Sequence, residues 1–150
     1  MSQSLAQVYH HVIFSTKFQA HLIPANQAVS LYRYIAGTLK NLRCPPIIVN
    51  GASNHLHLLC RMGRVIPISK LLKEVKRSSS KWMKTQGPEL NSFYWQNGYG
   101  AFSIGPERVE AVKRYIANQE EHHRRMTFKD EFRRLLGKYR IDYDEKYVWD

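Results

Sequence analysis

Breaks built from proline and glycine cut this 150-residue chain into short pieces, and that segmentation limits the folds open to it. Pro45-Pro46, Gly51-Ala52-Ser53-Asn54, Gly87-Pro88 and Gly105-Pro106 each interrupt a regular backbone ladder. Between the breaks the sequence keeps to one of two periods. Gln7 to Thr16 (QVYHHVIFST) is dense in β-branched and aromatic residues and reads as a strand. After Pro24, the residues Ala28, Leu31, Tyr32, Ile35, Leu39 and Leu42 recur at three and four, the spacing of an amphipathic helix. Ile47 to Asn50 is a short strand, residues 51–54 a turn, and His55 to Met62 (HLHLLCRM) the next strand, so the two form a hairpin.

Pro67 to about Lys84 returns to helical spacing through Ile68, Leu71, Leu72, Val75, Trp82 and Met83. Phe93 to Ile104 is aromatic and strand-like, with Asn97-Gly98 in its middle; that dipeptide signals either a tight hairpin or a bulge. Gly105-Pro106-Glu107 opens a helix expected to run to about His123. Thr127 with Asp130 caps a shorter last helix, which Gly137 is expected to end. The tail from Arg140 to Asp150 has no helical spacing. This order predicts an α+β fold: a ferredoxin-like split β-α-β with an antiparallel sheet and helices on one face, then a further C-terminal helix and a short terminal helix. Its length suits one domain over residues 1–150.

Composition narrows the class. Hydrophobic residues at 43% and charged residues at 23% exclude a disordered or collagen-like chain. No apolar run approaches the roughly 18 residues of a membrane helix, so no membrane partner is expected, and Met1 to Gln7 lack a basic leader, so no secretory signal is expected. Cys44 and Cys60 form no CxxC pair, which fits a reducing cytoplasm. The net charge of +11 is unevenly spread: residues 1–106 hold 12 basic and 2 acidic side chains, residues 107–150 hold 11 and 10. Such asymmetry is the footprint of a polyanion, nucleic acid foremost.

Three groups of residues could carry chemistry. In a strand, His55 and His57 project to one face, as two ligands of one metal must; two half-buried structural histidines would show the same spacing. On the helix from Pro106, Val109, Val112 and Ile116 share an apolar face, with Tyr115 and Gln119 together on its border and His122 one turn on. On the helix from Pro67, Lys70, Lys73, Arg77, Lys81 and Lys84 fall within roughly an 80° arc with only Glu74 acidic, a stripe suited to a phosphate backbone. The adjacent pairs His10-His11 and His122-His123 cannot converge as pairs from one face of a regular element. The two cysteines match no structural zinc spacing. There is no Gly-rich phosphate loop, no G-x-S-x-G and no aromatic RNP1-like strand.

Taken together, VYHHVIFSTK, NHLHLLC, FYWQNGYGAFSI, VKRYIANQEEHH, TFKDEFRRLL and DEKYVWD give the chain a resemblance over nearly its whole length. It resembles the single-tyrosine HUH transposases of the smallest bacterial insertion sequences, the TnpA type, with the REP-associated tyrosine transposases as relatives. His-Leu-His is unspecific alone; with Y-x-x-x-Q on a later helix it is specific. The resemblance implies a metal-dependent enzyme that cleaves and rejoins single-stranded DNA through a covalent 5′-phosphotyrosine. It implies Tyr115 as nucleophile and His55, His57 and Gln119 as ligands of a divalent ion, Mg2+ or Mn2+. It further implies DNA with hairpin ends as partner, for which the basic stripe is a candidate surface. A homodimer sharing its active sites between subunits and a cytoplasmic, nucleoid-associated location complete the expectation. A regulator that binds nucleic acid without cutting it, or a domesticated enzyme acting on repeated palindromes, is the alternative reading.

Overall fold

The structure, a computed structural model, describes residues 2–150. Its main elements are β1 (Tyr9–Ser15), α1 (Ala25–Asn41), β2 (Pro46–Gly51), β3 (His55–Arg61), α2 (Ile68–Lys84), β4 (Gly100–Ile104), α3 (Val109–Ala117), α4 (Gln119–His123) and α5 (Phe128–Lys138). The strands form one sheet in the order β2-β3-β1-β4, every pair antiparallel. This is the split β-α-β arrangement expected, with β3 inserted between β1 and β2.

Alternation along β1 and β3 divides the core in two. Val12, Phe14, Leu56, Leu58 and Cys60 face α1 and α2, where they meet Leu31, Ile35 and Leu39 and then Leu71, Val75 and Met83. Ile13 and Leu59 face the other way, toward Val112, Ile116, Phe132 and Leu135. The first two helices thus lie on one face as expected, and the C-terminal helices cover the opposite face. His11, His55 and His57 belong by the same alternation to this second face, where all three are buried.

Register brings the histidines to one end of the sheet, with Ser15 opposite His55 and Ile13 opposite His57. At the β2–β3 turn a Cβ on Gly51 would stand 2.3 Å from the His55 carbonyl oxygen. Only glycine lets the strand carrying both imidazoles approach so closely.

Three local expectations are corrected. Asn97-Gly98 is neither a hairpin turn nor a bulge: β4 starts only at Gly100, after an isolated bridge between Thr16 and Trp95. The reason is Lys76, whose Nζ donates to the carbonyls of Gln96 (2.8 Å), Asn97 (3.0 Å) and Gly98 (2.8 Å) and takes the place of a partner strand. The helix predicted to run to His123 breaks at Asn118 (φ −97°, ψ 25°) into α3 and α4. Asn50 Nδ2 donates to the Ile116 carbonyl at 2.9 Å and that of Ala117 at 3.4 Å, the acceptors an unbroken helix would use for its next turn. Gly137 lies inside α5. The left-handed residue that closes the helix is Arg140 (φ 56°), and Ile141 N donates back to Leu136 O at 2.9 Å. Thr127 caps α5 as predicted, accepting from Asp130 N at 3.2 Å.

Because a charged donor satisfies three carbonyls at once, Lys76→Met should lower the unfolding free energy by about 1.5–3 kcal/mol. Urea denaturation measures this, and an unchanged midpoint would show that the 96–98 segment holds itself.

Candidate active site

The buried end of β3 receives side chains from four other elements. His55 Nε2 lies 3.1 Å from Gln119 Oε1, at the start of α4. His57 Nε2 lies 3.1 Å from Oε1 of Glu131, on α5. His123, at the end of α4, brings its Nε2 to 3.1 Å from Gln119 Oε1 and 3.2 Å from Glu131 Oε1. Tyr115, on α3, donates its hydroxyl proton to Glu131 Oε2, which also accepts from Gln119 Nε2 at 3.2 Å. From behind, β1 supplies His11, whose Nε2 is 2.8 Å from His57 Nδ1. The four residues singled out in the sequence (His55, His57, Tyr115 and Gln119) therefore meet in one place within one chain.

Sequence reading missed the group at the centre. Glu131 is 1% exposed and its carboxylate touches His57, Tyr115, Gln119 and His123. A signal for it existed: Phe128, Phe132 and Leu135 define the inward stripe of α5, and Glu131 occupies the same stripe. An acid at such a position needs buried partners. His11 and His123 are hidden in the sequence because each reads as half of an adjacent pair. One member of each pair does turn inward. His122 instead lies against the Tyr115 ring, centroids 4.6 Å apart.

His55, His57 and Glu131 each offer one donor atom within 4.8 Å of the others, a set that can hold a metal ion. The chemistry of the donors supports this. Asn54 Oδ1, 2.9 Å from His55 Nδ1, can accept that ring proton and leave the Nε2 lone pair facing Gln119 Oε1. Two lone pairs face each other there, an arrangement that a cation between them relieves. The 3.1 and 3.5 Å separations from Glu131 Oε1 to the two imidazoles are close to the ~3 Å between neighbouring ligands on a cation with bonds of ~2.1 Å. His11 behind His57 is the kind of outer partner that fixes a ligand ring.

The electrostatics follow from burial. Desolvation, reinforced by the proximity of His57, lowers the His55 imidazole to about 3. Burial alone would push the Glu131 carboxyl up, but hydrogen bonds from His123, His57 and Tyr115 and the charge of His57 hold it well below the usual carboxylate range. Burial, the Glu131 charge and the hydrogen bond to it push the Tyr115 phenol up. Beside Tyr115 a cleft of about 380 Å³ opens, lined by Arg108, Arg134 and Lys138 and reaching back to His11. It brings cations within reach of the phenol.

Four members of the basic stripe (Lys70, Lys73, Arg77 and Lys81) are solvent-exposed along α2, with Arg77 paired to Glu74. Lys84 is turned inward: its Nζ donates to the Phe93 carbonyl at 2.6 Å and sits 4.0 Å from the Tyr94 ring centre. The stripe lies on the sheet face opposite the histidine cluster.

The sequence pattern of the family described as IS200-like transposases matches residues 4–119, so the chain belongs to that family. No curated protein is similar to it in sequence. Its fold is that of a protein from Deinococcus radiodurans R1 described as a candidate transposase (TM-score 0.61, 17% identity, 79% of this chain and 98% of that one). The fold also matches a REP-associated tyrosine transposase bound to a REP hairpin (TM-score 0.60, 12% identity, 82% of this chain and 74% of that one). Among the described residues no helix is long and apolar enough to cross a membrane.

The buried imidazole sets a pH dependence. Above pH 6.5 neither folded nor unfolded chain protonates His55. Between 6.5 and about 3 only the unfolded chain does, so stability falls as the solution is acidified. Glu131 acts in the same direction, since its depressed folded value makes protonation oppose folding below the ordinary carboxylate range. Chelator-treated protein should lose stability from about pH 6.5 downward, by up to ~1.4 kcal/mol per pH unit for each proton taken up. Denaturation midpoints level from pH 7 to 4 would contradict this.

Proposed function

We propose that this family member cleaves and rejoins single-stranded DNA, with Tyr115 as the nucleophile and a divalent ion, Mg2+ or Mn2+, held by His55, His57 and Gln119. Glu131 joins that ligand set. The observation that carries the proposal is the meeting of the Tyr115 hydroxyl and the His57 imidazole on one buried carboxylate, with His55 and Gln119 alongside. When bound, the ion supplies charge neutralisation of the phosphoryl oxygens and alignment of the leaving oxygen.

The chain's own residues do the rest. Arg108, Arg134 and Lys138 line the approach to Tyr115 and suit a phosphodiester backbone. Arg134 lies 5.8 Å from the tyrosine ring centre. A bond forms between Tyr115 Oη and phosphorus, and the bond from phosphorus to the 3′-oxygen breaks. The proton lost by the phenol is balanced by one gained by the departing 3′-hydroxyl. The new ester conserves the energy of the old one, so rejoining needs no nucleotide cofactor. Tyrosine is poor at this with its proton in place, so the step needs the charged environment that the cleft and ligand set provide.

DNA carrying a hairpin is the proposed partner, as in the REP-bound relative, with Lys70, Lys73, Arg77 and Lys81 as phosphate contacts on α2. The site we propose is formed within a single subunit, because Tyr115 already reaches the carboxylate that spans its own chain's histidines. A homodimer that shares sites is then not required for chemistry. The proposed unit of function is one domain over residues 1–150, acting in the cytoplasm on the nucleoid.

Incubating the protein with end-labelled single-stranded DNA from the flanks of its gene and Mn2+, then denaturing it, should leave a labelled protein band. Tyr115→Phe should abolish that band while DNA binding persists; a band that survives removes Tyr115 as nucleophile, and a wild type that binds but never forms one is a non-catalytic regulator. Calorimetric titration of Mn2+ should show Glu131→Ala and Glu131→Gln weakening binding by about tenfold or more, and unchanged affinity in both removes Glu131 from the ligand set.

A further inference from the structure

Two aromatic rings near the histidine end of the sheet are not accounted for by folding. Phe18 is 79% exposed and Tyr94 is 52% exposed. Their presentation is built into the backbone. Phe93 and Trp95 are both buried and pack edge to face at 4.9 Å, so the extended segment between them turns Tyr94 outward. Trp95 is pinned further by its Nε1 donating to Ser79 Oγ at 2.9 Å. Phe18 stands on a tight turn where it and Gln19 both adopt left-handed backbone (φ 58° and 55°), a conformation side chains rarely take. A phenyl group left in water on a strained turn forgoes burial that would stabilise the fold, so the turn is kept for another reason.

The turn is also firmly attached. Lys17 N donates to the Tyr94 carbonyl at 2.9 Å, which ties the two aromatic segments together. Gln19 Nε2 reaches Gln96 Oε1 and the Trp149 carbonyl, the latter at 3.3 Å. A single ammonium, Lys17 Nζ, lies 5.4 Å from the Phe18 ring centre and 6.0 Å from that of Tyr94. Lys84 supports Tyr94 from 4.0 Å. Two exposed π-faces with lysines between and beneath them form the pattern that binds unpaired bases: the rings stack, and the cations meet the phosphates on either side. Position supports the same reading. Phe18 is three residues beyond Ser15, whose register partner is His55, so its turn continues from the end of β1 beside the start of β3, and the Tyr94 carbonyl is tied to that turn through Lys17 N.

We infer that Phe18 and Tyr94, bridged by Lys17, form a stacking site for an unpaired nucleobase of single-stranded DNA. The inference rests on the single-stranded DNA reading of the active site and deepens it. The rings contribute affinity and placement of the strand, and the reacting groups remain those described above. The contact is sequence-tolerant, because every base offers a π-face. It also discriminates against duplex, whose bases are stacked on one another and unavailable.

The test is fluorescence anisotropy with the full chain and a labelled mixed-sequence single-stranded oligonucleotide, with a duplex of equal length as counter-probe. Phe18→Ala and Tyr94→Ala should each raise the single-strand Kd by about five- to a hundredfold. They should leave the duplex Kd and the salt slope unchanged, since no phosphate contact is lost. Phe18→Trp and Tyr94→Phe, which keep a ring, should restore binding. A strand of equal length that is abasic throughout should bind wild type more weakly than the mixed-sequence strand, and that difference should shrink in Phe18→Ala. Single-strand affinities within twofold of wild type for both alanine variants would overturn the inference, as would an equal loss on duplex. The outcome is separable from the chemistry: if wild-type protein forms no covalent adduct yet the alanine variants still lose single-strand affinity, the stacking site stands and the cleavage assignment falls.

Discussion

The geometry of the site depends on one buried carboxylate. Glu131 lies in the inward stripe of α5 with almost no access to water, and an anion there is tolerable only when several donors face it. His57, His123, Gln119 and Tyr115 are those donors, and they come from β3, α4 and α3. Satisfying a single side chain therefore fixes how three helices dock on the second face of the sheet. The apolar contacts of Phe128, Phe132 and Leu135 supply burial. The carboxylate supplies register, because sliding α5 by one residue would leave it unpaired.

The sheet arranges the other half of the site. Period-two alternation sends Leu56 and Leu58 into the core beneath α1 and α2 and sends His55 and His57 the opposite way. Both imidazoles are thus oriented by the same packing that stabilises the strand. Asn54 holds His55 and His11 holds His57, so each ring has a second partner before any ligand arrives.

Much of this was legible in the sequence. The element order, the split β-α-β and the shared face of His55 and His57 follow from short-range periodicity and from proline and glycine placement. What was not legible depended on contacts distant in sequence. The 97–98 dipeptide reads as a turn locally, yet Lys76, 21 residues before Asn97, captures its carbonyls. The helix through Tyr115 reads as continuous, yet Asn50 removes two of its acceptors. Glu131 was readable in part, as an acid on an apolar stripe, but its partners were not, since nothing local tells α5 that it will lie over β3. Lys84 shows the limit of a helical wheel: the arc was right, and the side chain was recruited by Phe93 and Tyr94.

The siting of Tyr115 on the same chain as the histidines it approaches has a kinetic meaning. Groups tethered in one folded chain meet at an effective concentration fixed by geometry, which mixing and dilution do not alter. A site assembled across two molecules would come apart as the protein became scarce. Here the phenol and the imidazoles it approaches stay together in a lone molecule, however dilute the protein becomes.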